Sequence, residues 1–206
     1  MLKIKSVSEH YPVWELSGFN TPNLDISFPE KREKEAPLPI NKKRIPVPLP
    51  EEATDFCREW KRATSQIVKY LQSDKCFKDC PEVRGMWPNG FSRLSWDEPH
   101  KCVSIIKDSA GFFMHPHIDN REVIAVLIVN LHNNPEGTGT KFVNNPYEKH
   151  TYENYKENLW YEGPTKKGTG LFFLNNWNTW HRIENDTGKT RYIAYETLHV
   201  SQMLRR

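Results

Sequence analysis

A chain of 206 residues is long enough to bury one sizeable core and too short to require two. Apolar residues make up 37% and aromatics 12%, with seven tryptophans, which excludes a disordered chain. The net charge of +3 gives no case for bulk binding to nucleic acid or an anionic membrane, so partners must be argued from a site.

The start Met1-Leu2-Lys3-Ile4-Lys5 leads into no apolar run of signal-peptide length, and no stretch suits a bilayer span. The expectation is a soluble, cytoplasmic protein without a membrane partner; its oligomeric state is open. Residues 12–19 form a short first strand. Across residues 29–50, Pro29, Pro37, Pro39, Pro46, Pro48 and Pro50 alternate with Lys31, Arg32, Lys34, Lys42, Lys43 and Arg44. Such proline density excludes a regular helix. The plain expectation is a loop over the core; the sharper one is a lid or basic arm touching an acidic substrate.

Residues 51–73 turn helical. Phe56, Trp60, Ala63, Ile67 and Tyr70 recur at three- and four-residue steps and make one apolar stripe, with Pro50, Glu51 and Glu52 suited to the start. Such a helix packs on a sheet. Cys57, Cys76, Cys80 and Cys102 have no paired motif spacing, so free thiols are expected.

After residue 80 the texture becomes β. Residues 101–107 and 171–174 read as strands, as does 191–198, and 121–131 is β-branched and nearly continuous, as in a strand covered on both faces. Residues 133–139 are turn formers before an extended Thr140-Lys141-Phe142-Val143, and 144–168 read as a long polar insert near the site. Many short strands after one packing helix suggest a mainly β sandwich or jelly roll.

Within this pattern lies His117-Ile118-Asp119. Residues two apart on a strand face the same way, so His117 and Asp119 aim an imidazole and a carboxylate at one point. His181, from a distant strand, supplies a third ligand, and two histidines with one carboxylate leave an open metal face suited to non-heme iron. Arg191, ten residues past His181, is a fixed cation that suits a carboxylate. If no bulge intervenes, Val123, Ala125, Leu127 and Val129 share the inward parity and Ile124, Val126 and Ile128 meet the helix. His115 is the nearest rival ligand, but Pro116 disturbs pairing and only His117 lies two residues from Asp119.

His117-x-Asp119, the turn and strand Gly137–Phe142, and Asn178-Thr179-Trp180-His181-Arg182 leading to Arg191 together resemble the 2-oxoglutarate- and Fe(II)-dependent oxygenases, small prolyl-hydroxylase-like members above all. The resemblance spans residues 92–198. Length and pattern together give one domain over 1–206, with an N-terminal strand and Pro-rich basic loop over 1–50, a packing helix over 51–73 and a core over 92–198. The resemblance implies that this core is a double-stranded β-helix (jelly roll). It further implies that His117, Asp119 and His181 bind Fe(II), and that Arg191 pairs with the distal carboxylate of 2-oxoglutarate. O2 is consumed, succinate and CO2 are released, and ascorbate is a possible stimulant. Asp119 favours hydroxylation, since related halogenases lack that ligand. Two departures stand out: Ile193 replaces a hydroxyl residue found in some branches, and residues 101–114 lack the tyrosine that often assists the co-substrate. Tyr195, Asn175, Asn176 and Ser104 are candidates for that missing contact. Trp177, Trp180 and His115 are substrate-side candidates.

The leading expectation is a dioxygenase hydroxylating a C–H bond of an amino-acid residue, a peptide or a small polar metabolite. One alternative is a nucleobase or nucleic-acid oxygenase of the same superfamily, in which Lys42, Lys43 and Arg44 grip the strand and Trp177 and Trp180 stack a base. The other is a non-oxidative jelly-roll protein holding zinc.

Overall fold

The computed structural model describes residues 2–21, 44–51, 53–86, 103–144 and 158–199. Eleven strands and three helices are described: β1 (Lys3–Ser6), β2 (Val13–Ser17), β3 (Arg44–Pro48), α1 (Thr54–Leu71), α2 (Asp74–Asp79), α3 (Glu82–Met86), β4 (Ser104–Asp108), β5 (Phe112–His117), β6 (Val123–Asn130), β7 (Lys141–Val143), β8 (Leu159–Glu162), β9 (Gly170–Leu174), β10 (His181–Asn185) and β11 (Arg191–His199).

The strands form two antiparallel sheets, β1-β2-β9-β6-β11-β4-β3 and β5-β10-β7-β8. From β4 onward each strand crosses to the other sheet, apart from the step from β7 to β8, which yields the jelly roll expected from the sequence. One core lies between the sheets, with Val126, Ile128, Phe142, Phe173 and Ile193 in it. The other lies outside the larger sheet, where α1 covers Trp14, Leu127, Val129, Phe172 and Ala194.

Helix α1 is held by the stripe read from the sequence: Phe56, Trp60, Ala63, Ile67 and Tyr70 are all buried. Trp60 is 1% exposed, and its indole Nε1 donates to the Glu196 carboxylate of β11, so the helix is fixed by packing and by one buried polar contact. The start at Thr54 falls three residues inside the expected 51–73 span. After Ser73, whose hydroxyl accepts from the Cys76 amide as an N-cap, the chain makes α2 and then α3, so the β texture expected from residue 80 begins later. Cys57, Cys76 and Cys80 are buried free thiols; Cys102 lies outside the described residues.

Three further expectations are corrected. Residues 44–48 are not loop: β3 pairs with β4 from Arg44↔Asp108 to Pro48↔Ser104. Among the described residues β3 is the outermost strand of its sheet, where prolines that cannot donate are tolerated. Residues 29–43 lie outside the described residues. Within the expected 144–168 insert, residues 159–162 are β8, paired with β7. The parity of β6 is as expected for Val123 and Ile124 and reversed from Ala125 onward. His199 pairs with Val123 and Leu198 with Ala125, so a bulge at Ile124 flips the register. Ala125, Leu127 and Val129 consequently face α1, and Val126 and Ile128 face the interior.

Candidate metal centre

Strands β5 and β10 bring the two histidines together, because His181 and His117 are direct cross-strand partners. Their ring centroids are 4.3 Å apart. Asp119 follows β5 by two residues, on the loop into β6. The ligand atoms of His117, Asp119 and His181 all lie within 4.8 Å of one another, and the Nε2 of His181 is 3.7 Å from Asp119 Oδ2. Among the described residues this is the one cluster of its kind.

Each histidine is oriented by its own strand. The Nδ1 of His117 lies 2.8 Å from the His115 carbonyl, and that of His181 lies 3.0 Å from the Thr179 carbonyl. A carbonyl only accepts, so both Nδ1 atoms carry the proton and both Nε2 lone pairs are free for a cation. Burial, then the nearby His117, push the His181 imidazole down to about 4, against the opposing pull of Asp119 and the Thr179 carbonyl. At neutral pH it is therefore the uncharged form that coordinates metals. Asp119 Oδ2 is buried without a hydrogen-bond partner. An orphaned carboxylate oxygen beside two prepared imidazoles is costly unless a cation fills the gap, so the residues present fit a divalent metal.

The wall around His181 is aromatic. Phe173 lies edge-on at 4.9 Å and Phe142 at 6.0 Å between centroids, so the buried side of the site is dry. Asn175 was a candidate for contact with the co-substrate, but its amide instead grips the loop carrying Asp119. Its Oδ1 accepts from the Asp119 amide at 3.1 Å, and its Nδ2 donates to the carbonyls of Asp119, Asn120 and Val123. Asn176 likewise shapes the turn before His181, through its side-chain oxygen and both backbone polar groups.

Arg191 is 2% exposed and shares the inner face of β11 with Ile193 and Tyr195. It does not stand alone. Its Nη1 donates to Asp108 Oδ2 at 3.0 Å and its Nη2 to Thr140 Oγ1 at 3.4 Å, while its Nε is buried without a partner. Thr140 is set there by Gly139, whose α-carbon sits so close to the Gly163 carbonyl that a Cβ would lie 2.1 Å from that oxygen. Asp108 also accepts two bonds from Arg44, at 2.6 and 2.7 Å. Arg44, which on the sequence falls in a loop over the core or in a basic arm, is a buried strand residue with its guanidinium 4.3 Å from the Phe112 ring centroid. Burial, only partly offset by Asp108, lowers Arg191 to about 10, so it stays charged at neutral pH.

The remaining candidates divide. Tyr195 and Ser104 are cross-strand partners on β11 and β4. Burial raises the Tyr195 phenol, with Asp119 adding to the rise and Arg44 opposing it, so Tyr195 is neutral and senses the site. His115 is exposed, with its ring edge-on to Phe113, away from the ligand cluster. Trp177 is 71% exposed, whereas Trp180 is 6% exposed and belongs to the interior rather than to a base-stacking surface. With Arg44 ion-paired and Trp180 buried, two supports of the nucleic-acid alternative are lost; Lys42 and Lys43 lie outside the described residues.

No family model matches the sequence, and no curated protein does. Solved structures similar to this chain include prolyl hydroxylases. A viral collagen prolyl hydroxylase from Paramecium bursaria Chlorella virus 1, solved with 2-oxoglutarate, has a TM-score of 0.47 at 15% identity, over 77% of this chain and 80% of that one. A Pseudomonas putida prolyl 4-hydroxylase has a TM-score of 0.46 at 10% identity, over 76% and 71%. A Trichoplax adhaerens prolyl hydroxylase, solved with a hypoxia-inducible-factor peptide, has a TM-score of 0.45 at 11% identity, over 78% and 64%. These likenesses concern architecture; the chemistry rests on the side chains. No helix among the described residues is long and apolar enough to cross a membrane.

Proposed function

We propose that this protein is an Fe(II)- and 2-oxoglutarate-dependent dioxygenase that hydroxylates a C–H bond of an amino-acid residue, a peptide or a small polar metabolite. The observation that carries this reading is the His117/Asp119/His181 cluster, with both Nδ1 atoms tied back to carbonyls and one carboxylate oxygen left bare. When bound there, Fe(II) supplies the activation of O2, coupled to oxidation of 2-oxoglutarate to succinate and CO2.

The chain's own share is placement. His117 and His181 present Nε2 from two adjacent strands, and Asp119 presents a carboxylate from a loop clamped by Asn175, so three ligands come from one side and the other stays open. Arg191 provides the fixed positive charge for the far carboxylate of the co-substrate, inside the same barrel. Phe142 and Phe173 exclude water behind His181, which limits wasteful turnover. Trp177, on the turn leading to His181, is the most exposed large apolar side chain among the described residues and is offered there to a substrate.

Succinate release measured with Fe(II), ascorbate and 2-oxoglutarate, over a panel of amino acids, peptides, nucleotides and metabolites, tests the reading. Turnover should vanish in His181→Ala; succinate that persists in that variant sinks it. A protein that purifies with zinc, and gains no thermal stability from 2-oxoglutarate, is instead the non-oxidative jelly roll.

A further inference from the structure

The layer Arg44–Asp108–Arg191 crosses three adjacent strands. In the register, Asp108 of β4 stands directly opposite Arg191 of β11 on one side and Arg44 of β3 on the other. All three residues are buried, and Asp108 is 0% exposed. Two guanidiniums and one carboxylate leave one positive charge without a described counter-ion. That surplus sits between the sheets, since Arg44 lies on the Phe112 ring of β5 and Arg191 reaches Thr140 before β7. A buried, uncompensated charge is expensive, and the bare Nε of Arg191 adds an unsatisfied donor.

Fork geometry decides how the pieces share the load. Arg44 takes both oxygens of Asp108 with two short bonds, whereas Arg191 holds only one oxygen, at the longer distance. Asp108 is thus chiefly the counter-ion of Arg44, and Arg191 carries the surplus. If Arg44 were absent, Asp108 would turn its full charge on Arg191 and cancel it.

We propose that Arg44 is a positioning residue for the acidic co-substrate: by holding Asp108 it keeps Arg191 available to a carboxylate group of single negative charge. This rests on the dioxygenase reading and adds two residues to it: Arg44, which the sequence placed in a charged loop or basic arm, and Asp108, which carries no signal in the sequence. It also assigns Asp108 a task, that of reducing a doubly positive pocket to a singly positive one. Such a pocket is matched to a carboxylate rather than to a phosphate dianion.

The test is equilibrium dialysis of labelled 2-oxoglutarate against the Fe(II)-loaded full chain without O2, with bound iron assayed separately. Arg44→Met should weaken 2-oxoglutarate binding by roughly tenfold or more at unchanged iron content, the loss expected for one charged hydrogen-bonding partner. The double variant R44M/D108N, in which Arg191 regains an uncancelled charge, should return to within roughly threefold of the parent. If Arg44 merely braced β3, removal of Asp108 would not rescue binding, and a double variant as weak as Arg44→Met overturns the proposal. Should Arg44→Met fail to fold, Asp108→Asn alone decides: tighter 2-oxoglutarate binding, and new affinity for inorganic phosphate, support the proposal, and lost binding overturns it. Arg191→Met separates the two levels. If that variant binds 2-oxoglutarate like the parent, the co-substrate reading itself fails; if it loses binding while Arg44→Met does not, only the role of Arg44 fails.

Discussion

Asn175 holds Asp119 from outside the His117/Asp119/His181 cluster: one side-chain amide spans the backbone from Asp119 to Val123, accepting one bond and donating to three carbonyls. It fixes the loop without touching the candidate ligand atoms. Such supports commonly contribute 10–100-fold in metal affinity. Asn175→Ala should therefore weaken Fe(II) or Mn(II) binding by about 10-fold or more in a metal titration. Asn175→Asp, which keeps the acceptor and loses the donors, should weaken it nearly as much. An unchanged dissociation constant in both would show that the loop is held by other means.

The turn Asn176–Thr179 is tied by four hydrogen bonds, among them the Asn176 amide on Thr179 Oγ1 and the Asn178 amide on Asn176 Oδ1. It presents Trp177 to solvent at 71% exposure. Because little is packed against that indole, Trp177→Ala should shift unfolding by no more than about 0.5 kcal/mol. Substrate-free succinate release should also be unchanged. With a cognate substrate, KM should rise by roughly tenfold, as for loss of an aromatic anchor. A KM equal to that of the parent removes Trp177 from the substrate surface.

Gly170 faces Val129 across β9 and β6, and a Cβ there would lie 2.1 Å from the Ile128 carbonyl oxygen and 3.0 Å from the Val129 α-carbon. Both atoms are backbone in the middle of the larger sheet, so neither yields cheaply. Gly170→Ala should destabilise the protein by about 1–3 kcal/mol. The signature in denaturant is a lowered midpoint at constant slope.

A polar chain fastens β2 to the helices: Trp14 Nε1 donates to Tyr70, and the Tyr70 hydroxyl and Lys75 both donate to Asp79. Burial would raise the Asp79 carboxyl, but Lys75 and Tyr70 outweigh it and hold the group below the usual carboxylate range. A depressed folded-state value stabilises the protein above the unfolded-state value, and that contribution disappears as pH falls through the folded-state value. Asp79→Asn should lower stability at neutral pH and flatten the acid limb of a stability–pH curve. Tyr70→Phe, which strands the buried Trp14 donor, should cost about 1–3 kcal/mol at neutral pH, and part of that cost should disappear in acid, because the Tyr70 hydroxyl also holds the Asp79 carboxyl down.

Helix α1 and strand β6 were legible because local pattern determines them: a 3.6-residue stripe in one case, an unbroken apolar run in the other. The candidate ligands were legible for the same reason, since His117 and Asp119 are two apart and His181 is the distant histidine embedded in strand-like sequence. What escaped was non-local. Asp108 meets Arg191 and Arg44 only through cross-strand register, which spacing along the chain does not encode. Arg44 was further hidden among prolines, which argue against strand everywhere except an edge. The bulge at Ile124 inverted the faces of β6 without leaving any mark in its composition. Asn175 stood out in the sequence only as a candidate co-substrate contact; its four contacts to the Asp119 loop exist only once β9 and that loop are adjacent.

Strand β6 is buried at every position, and its two neighbours are β9 and β11. Both are made later than β6 itself, so during synthesis the most apolar segment of the protein leaves the ribosome with no strand to pair with. β11 also supplies one of the two neighbours of β4. The larger sheet thus closes around its last strand, and folding is held back until residues 191–199 emerge. Chains truncated before residue 191 should be sticky, chaperone-bound and sensitive to protease, while released chains that include residues 191–199 should become resistant in a single step.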